Sequence, residues 1–317
     1  RADIIRLWVA ASDYRGEMNV CDEILNRTAD AYRRIRNTAR FLLANLNGFD
    51  PATNLVAPAE MIALDRWAVD RAWRLQEEVI AAYRDYQFHL ICQKVQQFCV
   101  VDLGGFYLDV IKDRQYTTQA DSLARRSCQT AMYHIVEAMS RWLAPILSFT
   151  ADEIWAEIPG ERDATIFTAT WYQGLFALDT GEAMDREVWE RVIAARVAIG
   201  PALEAARKAG RIGSSLDAEL DLYCADELLG LLQRLGDELR FVLLVSEVRL
   251  RPLAERPAEA AATDLDGLAV LVTPSANIKC VRCWHHRADI GGDAEHPELC
   301  GRCVENVAGA GEVRRFA

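Results

Sequence analysis

The 317 residues, about half of them apolar and a quarter charged, have an ordinary globular composition with room for two or three domains. No apolar run approaches the ~20 residues of a membrane-spanning helix and no basic-then-apolar leader opens the sequence, so the expected setting is cytoplasmic, with no membrane partner. The net charge of −11 speaks against nucleic acid only for the surface as a whole, because phosphate binding depends on local basic faces.

The chain enters at Arg1 directly into Ile4, Ile5, Leu7, Trp8 and Val9, as if in mid-element, and reads as a fragment of something larger. Residues 3–20 suggest a short helix and a polar link. A long helix should begin near Asp22, capped by Cys21 or Asp22, with Leu25, Tyr32, Ile35, Ala39, Leu42 and Leu46 on one apolar stripe. Arg33, Arg36 and Arg40 share another face, either solvated or facing a phosphate backbone. Two more helices are expected over 58–83 and 88–101, the latter broken at Leu103, Gly104 and Gly105. A fourth spans about 120–147 and a short one 150–158. These antiparallel helices with short links describe a bundle.

Residues 159–181 look irregular. A charged helix over 183–209 follows, with Pro201 placed to interrupt it. The texture then changes: Leu216, Ala218, Leu220, Leu222 and Cys224 alternate with polar residues at the period of a half-buried strand. A helix over 227–235 and strands near 241–250 and 268–273 complete a small α+β module. A linker rich in Ala, Pro and Glu (252–263) joins this module to the C-terminal segment at 277–312.

That segment holds the strongest chemical signal. Cys280 and Cys283, then Cys300 and Cys303, form two C-x-x-C turns sixteen residues apart, the ligand set and spacing of a structural zinc site. Two disulfides or an iron site are the alternatives. With four thiolates and no open position, one zinc ion would staple the fold and catalyse nothing. The other five cysteines sit among apolar neighbours like reduced core residues. No phosphate loop, dinucleotide fingerprint or nucleophile elbow occurs; His89 and His134 read as mid-helix core or surface residues, and His285, His286 and His296 flank the cysteines, where they could substitute as ligands had four thiolates not filled the site. The residues by themselves describe a helical bundle with a zinc-stapled tail that binds something.

Several blocks resemble one known family. The runs from Ala2 to Trp8, Tyr32 to Phe41, Phe106 to Tyr116, Arg125 to Ala131 and Phe149 to Trp155, in this order, are similar to the C-terminal half of bacterial isoleucyl-tRNA synthetase, and the Cys280–Trp284 and Cys300–Cys303 turns to its C-terminal zinc finger. The resemblance implies a mainly α protein: residues 1–20 as the junction from a missing catalytic domain, 21–180 as a class Ia anticodon-binding bundle, 181–273 as a helix plus a small α+β module, and 274–317 as the zinc-finger module. It implies the anticodon stem-loop of tRNA(Ile) as partner of a monomeric protein normally continuous with a catalytic domain, where ATP would be used; no catalytic residue is expected here. Arg282 and Trp284 would stack on an unpaired anticodon base, Lys112 and Arg114 would lie near the anticodon loop, and Arg33, Arg36 and Arg40 would touch phosphates or else serve packing and ion pairing. Two other readings stay open: a DNA-repair glycosylase, whose finger has similar spacing, and a purely structural zinc-stapled module.

Overall fold

The computed structural model of the chain describes residues 2–178 and 181–317. The protein is mainly α with one small sheet, and it divides into two compact units. The first comprises Arg1–Asp109 with Arg125–Leu178, the second Val110–Ala124 with Asp179–Ala317. These bounds differ from the expected division in two places. Residues 2–11, expected as a junction, group with the first unit, and residues 110–124 group with the second.

The first unit is a helical bundle built from α1 (Ala2–Ala11), α2 (Asp22–Ala44), α3 (Ala63–Arg84), α4 (Phe88–Gln97), α6 (Leu123–Leu143, from Arg125 onward) and α7 (Ser148–Glu157). The stripe on α2 is buried at Tyr32, Ile35, Ala39 and Leu42, and α3 buries Leu64, Trp67, Ala68, Leu75 and Val79. Two polar side chains explain why α1 is bound so firmly. Arg6 donates from Nε to the Ile146 carbonyl at 2.8 Å and from Nη2 to that of Pro145 at 3.0 Å, satisfying carbonyls beyond the end of α6. Buried Asp3 accepts from the backbone N–H and hydroxyl of Thr150 at 2.7 and 2.6 Å, in the first turn of α7, where a carboxylate suits the helix dipole.

Gly104 and Gly105 do not break the chain as expected. Residues Phe98–Tyr107 form a π-helical stretch that runs from α4 into α5 (Leu108–Thr117) without a gap. A Cβ at Gly104 would come within 3.0 Å of the Cys99 carbonyl, and one at Gly105 within 3.3 Å of that of Val100. The pair is there because the wide turn crowds each residue against the carbonyl five positions back.

Near the end of this unit, Arg141 lies over the rings of Trp155 and Tyr172 at 4.8 and 5.1 Å, and Arg162 over Trp155 at 4.6 Å. This stack pins the irregular residues 159–178. His134 Nδ1 sits 2.7 Å from the Tyr172 hydroxyl, and burial drives its pKa down to about 4. The unfolded chain would take up that proton near pH 6.5, so the folded state loses stability as pH falls from about 6.5 to 4, by about 3 kcal/mol in all. Denaturation of the first unit at pH 7 and pH 4.5 checks this: the loss should shrink in His134→Gln, and an equal loss in both proteins would rule out His134 as its source.

In the second unit α8 (Arg186–Lys208) leads to a four-stranded sheet of order β2-β1-β4-β3, with β1 Ala218–Cys224, β2 Glu247–Pro252, β3 Ala261–Ala262 and β4 Leu268–Pro274. Between β1 and β2, which run parallel, the chain passes through α9 (Asp226–Gln233) and α10 (Leu239–Leu243). Residues 241–243, expected in a strand, are therefore helical, and the expected linker contains β3. Pro201 leaves α8 unbroken: it is exposed, and so is Val197, whose carbonyl loses its helical partner and can turn to water. The strand β1 is central, with both edges paired to β2 and β4, and it is buried along nearly its whole length. Its polar side is neutralised across the sheet, where Arg249 donates to Asp221 at 2.9 and 3.0 Å and to Glu219 at 2.7 Å.

Candidate metal centre and nucleic-acid interface

The four cysteine sulfurs all lie within 4.8 Å of one another and are buried. Cys283 Sγ and Cys300 Sγ are 3.7 Å apart, too far for a disulfide at about 2.05 Å. Zinc–sulfur bonds of about 2.3 Å in a tetrahedron put neighbouring sulfurs about 3.8 Å apart, so the donor set fits that ion. Proton sharing points the same way. Through their mutual hydrogen bonds the clustered thiols share protons, which lowers the pKa of Cys300 and raises that of Cys303. Four thiolates so close cannot all form unless a cation joins them. His285 and His286 are engaged elsewhere: His285 Nδ1 donates to the Cys283 carbonyl at 3.2 Å, and His286 Nδ1 to that of Asn277 at 2.7 Å.

The first turn is closed by the backbone. Trp284 N–H donates to the Cys280 carbonyl at 2.9 Å, and Cys280 N–H to that of His285 at 2.9 Å. Trp284 takes φ +66°, a left-handed conformation that costs a bulky L-residue about 1–2 kcal/mol. The surrounding turn holds it there with the indole 60% exposed. Strain of this kind collects at functional positions. It is a signal the one-dimensional motif does not carry.

The second turn opens α11 (Gly301–Ala308) and is fixed by a buried ionic knot. Arg302 grips Asp113 with two bonds of 2.8 Å and reaches Glu312 at 3.0 Å. Arg314 adds a bond of 2.6 Å to Asp113 and one of 2.7 Å to Glu312, and lies 3.5 Å over the Phe241 ring. Burial alone would raise the Asp113 pKa, but the two guanidinium groups outweigh it and hold the carboxyl well below its usual range. The finger is thus tied to residues 110–124 within the second unit.

The expected contact residues separate accordingly. Arg282 is exposed and donates from Nη2 to the Thr117 carbonyl at 3.1 Å; Lys112 is exposed on α5. Arg114 is a correction, since it is fully buried and donates to the Ala124 carbonyl at 3.0 Å. Its guanidinium serves the fold and offers nothing to an RNA outside. Arg33, Arg36 and Arg40 lie on α2 in the other unit, all exposed. Arg33 pairs with Asp30 of the same helix, whereas Arg36 and Arg40 line a groove of about 640 Å³ with Glu153 and Glu157 of α7. Asp113, Glu312 and Arg314 were not legible as a knot, and Lys279 stood out only as one of four lysines.

Known proteins share these features. Residues 65–222 match the anticodon-binding domain of tRNA ligase, and residues 277–306 the zinc finger found in FPG and IleRS. The chain is therefore similar to a tRNA-ligase anticodon-binding domain over the first of these stretches and to a four-cysteine finger of that type over the second. It is 62% identical to isoleucine–tRNA ligase of Marinomonas sp. (strain MWYL1) over 317 residues, which are 100% of this chain and 34% of that protein. Identity is 62% over 316 residues with the ligase of Nitrosococcus oceani and 63% over 319 residues with that of Thioalkalivibrio sulfidiphilus, again 100% of this chain and 34% of each. Along its whole length the chain is similar to the C-terminal part of bacterial isoleucine–tRNA ligases, spanning about a third of the length of the curated relatives it matches. Among the described residues no helix is long and apolar enough to cross a membrane.

Proposed function

We propose that this chain is the tRNA-binding part of an isoleucine–tRNA ligase, holding the anticodon stem and loop of tRNA(Ile) while a catalytic part outside this sequence performs ATP-dependent aminoacylation. The observation that carries the reading is Trp284: a large flat ring, 60% exposed, held in a strained backbone conformation at the tip of a metal-binding turn. Such a ring stacks on an unpaired base of a loop, the part of an RNA whose base edges are open to readout.

One zinc ion on Cys280, Cys283, Cys300 and Cys303 would supply no chemistry beyond fixing that turn. Lys112 and the outward part of Arg282 would neutralise loop phosphates from the same unit, and Arg36 and Arg40, with Arg33, phosphates of the stem. Arg114 is left out. We infer a monomer working in the cytoplasm, where nine cysteines free of disulfides are at home. A repair glycosylase is disfavoured by the ligase matches over the whole chain.

The test is binding of the metal-loaded chain to tRNA(Ile) and to an unrelated tRNA at moderate salt. Tighter binding to tRNA(Ile), falling linearly with log salt concentration, supports the reading; equal affinity for the two sinks it.

A further inference from the structure

Resting on that reading, we infer that Lys279 is the cation working with Trp284, backing one face of the indole and contacting the phosphate of the nucleotide stacked on the other. Lys279 Nζ lies over the Trp284 ring, 5.9 Å from its centroid. The lysine is exposed and pairs with no carboxylate among the described residues. Arg282, the cation that the sequence places beside Trp284, is turned instead to the Thr117 carbonyl.

The two residues are held in register by the backbone. Lys279 bridges His286 as an antiparallel pair, and Arg287 N–H donates to the Ile278 carbonyl at 3.0 Å, making a short hairpin with the cysteine turn at its tip. Its base is fastened where His286 N–H donates to Ser246 Oγ at 2.7 Å and Arg287 Nη1 to Glu247 at 2.7 Å. An ammonium near an aromatic face is attracted to the ring, yet here it keeps its water-facing donors on a flexible four-carbon stem. A base on the open face brings its phosphodiester within a sugar's length of the ring edge, where that stem can swing. The ring then supplies a sequence-tolerant stack, and the lysine a point charge that fixes the strand's path.

The salt dependence of tRNA(Ile) binding tests this on the metal-loaded chain, with zinc content confirming the finger in each variant. Lys279→Gln should weaken binding about 3- to 10-fold and flatten the slope of log affinity against log salt by about 0.7 to 1, the share of one phosphate. Lys279→Arg should restore the slope. Trp284→Ala should weaken binding with the slope retained, because stacking releases no counterion. If wild type prefers tRNA(Ile) while Lys279→Gln binds with unchanged slope, the lysine inference fails and the function stands. If wild type shows no preference, both fail.

Discussion

Stripping the metal is expected to unfold the finger while leaving the first unit intact. Apart from its four cysteines, the finger's core has, among the described residues, Ile290 and Leu299 as the apolar side chains packed against it, far too little apolar burial to offset the ordering of about 30 residues. A structural zinc site contributes about 10–16 kcal/mol of apparent binding energy, so folding and metal binding should be one event. Hydrogen exchange in the presence of a strong chelator, or in Cys283→Ser, should show loss of protection across residues 278–308 and none across α2, α3 and α6. tRNA affinity should fall in the same samples. Protection that survives complete metal removal would mean that the cysteine cluster is a packed core and the zinc incidental.

The second large effect is expected at Asp113. Its carboxylate is shared by Arg314, which is buried, and Arg302, which is half-buried, with Glu312 as their other acidic partner. Asp113→Ala leaves two guanidinium groups facing one carboxylate in a water-poor site, and breaking a buried pair from one side costs about 3–5 kcal/mol. The loss should appear as local opening of residues 299–314, read by hydrogen exchange, since a chain of two units does not melt in one step. The sign of the pH dependence follows from the depressed carboxyl: this stability is present above the unfolded-state value near 3.9 and is lost as pH falls through the lower folded-state value. Replacing Arg302 by Met in the Asp113→Ala background should recover part of it by removing one stranded charge. An Asp113→Ala protein that opens no more readily than wild type would show the knot to be a surface feature.

The sequence was most legible where a feature is local. The four clustered cysteines were plain because C-x-x-C spacing constrains the backbone by itself, and α2 because its apolar stripe repeats at the helical period. What escaped notice depends on distance along the chain. Nothing near Asp113 announces Arg302, 189 positions away, and nothing near Arg114 announces that its guanidinium turns to the Ala124 carbonyl. Gly104 and Gly105 look like a break because glycine pairs usually are, and only the carbonyl approaches of the π-helical stretch explain them. Phe241 and Val242 carry β-forming side chains, yet the turn before β2 places them in a helix. The finger's residues were found by spacing, but the pairing of Lys279 with the Trp284 ring required the hairpin's register.

The most direct test of the proposed role compares tRNA(Ile) with the same tRNA carrying a foreign anticodon, bound in turn by wild type and by Trp284→Ala with zinc in place. Wild type should prefer the native anticodon, and Trp284→Ala should lose about 1–3 kcal/mol of affinity, roughly 5- to 150-fold, with most of the preference. Equal binding of the two tRNAs by wild type, or a Trp284→Ala protein that binds and discriminates like wild type, would contradict a finger that reads the anticodon loop.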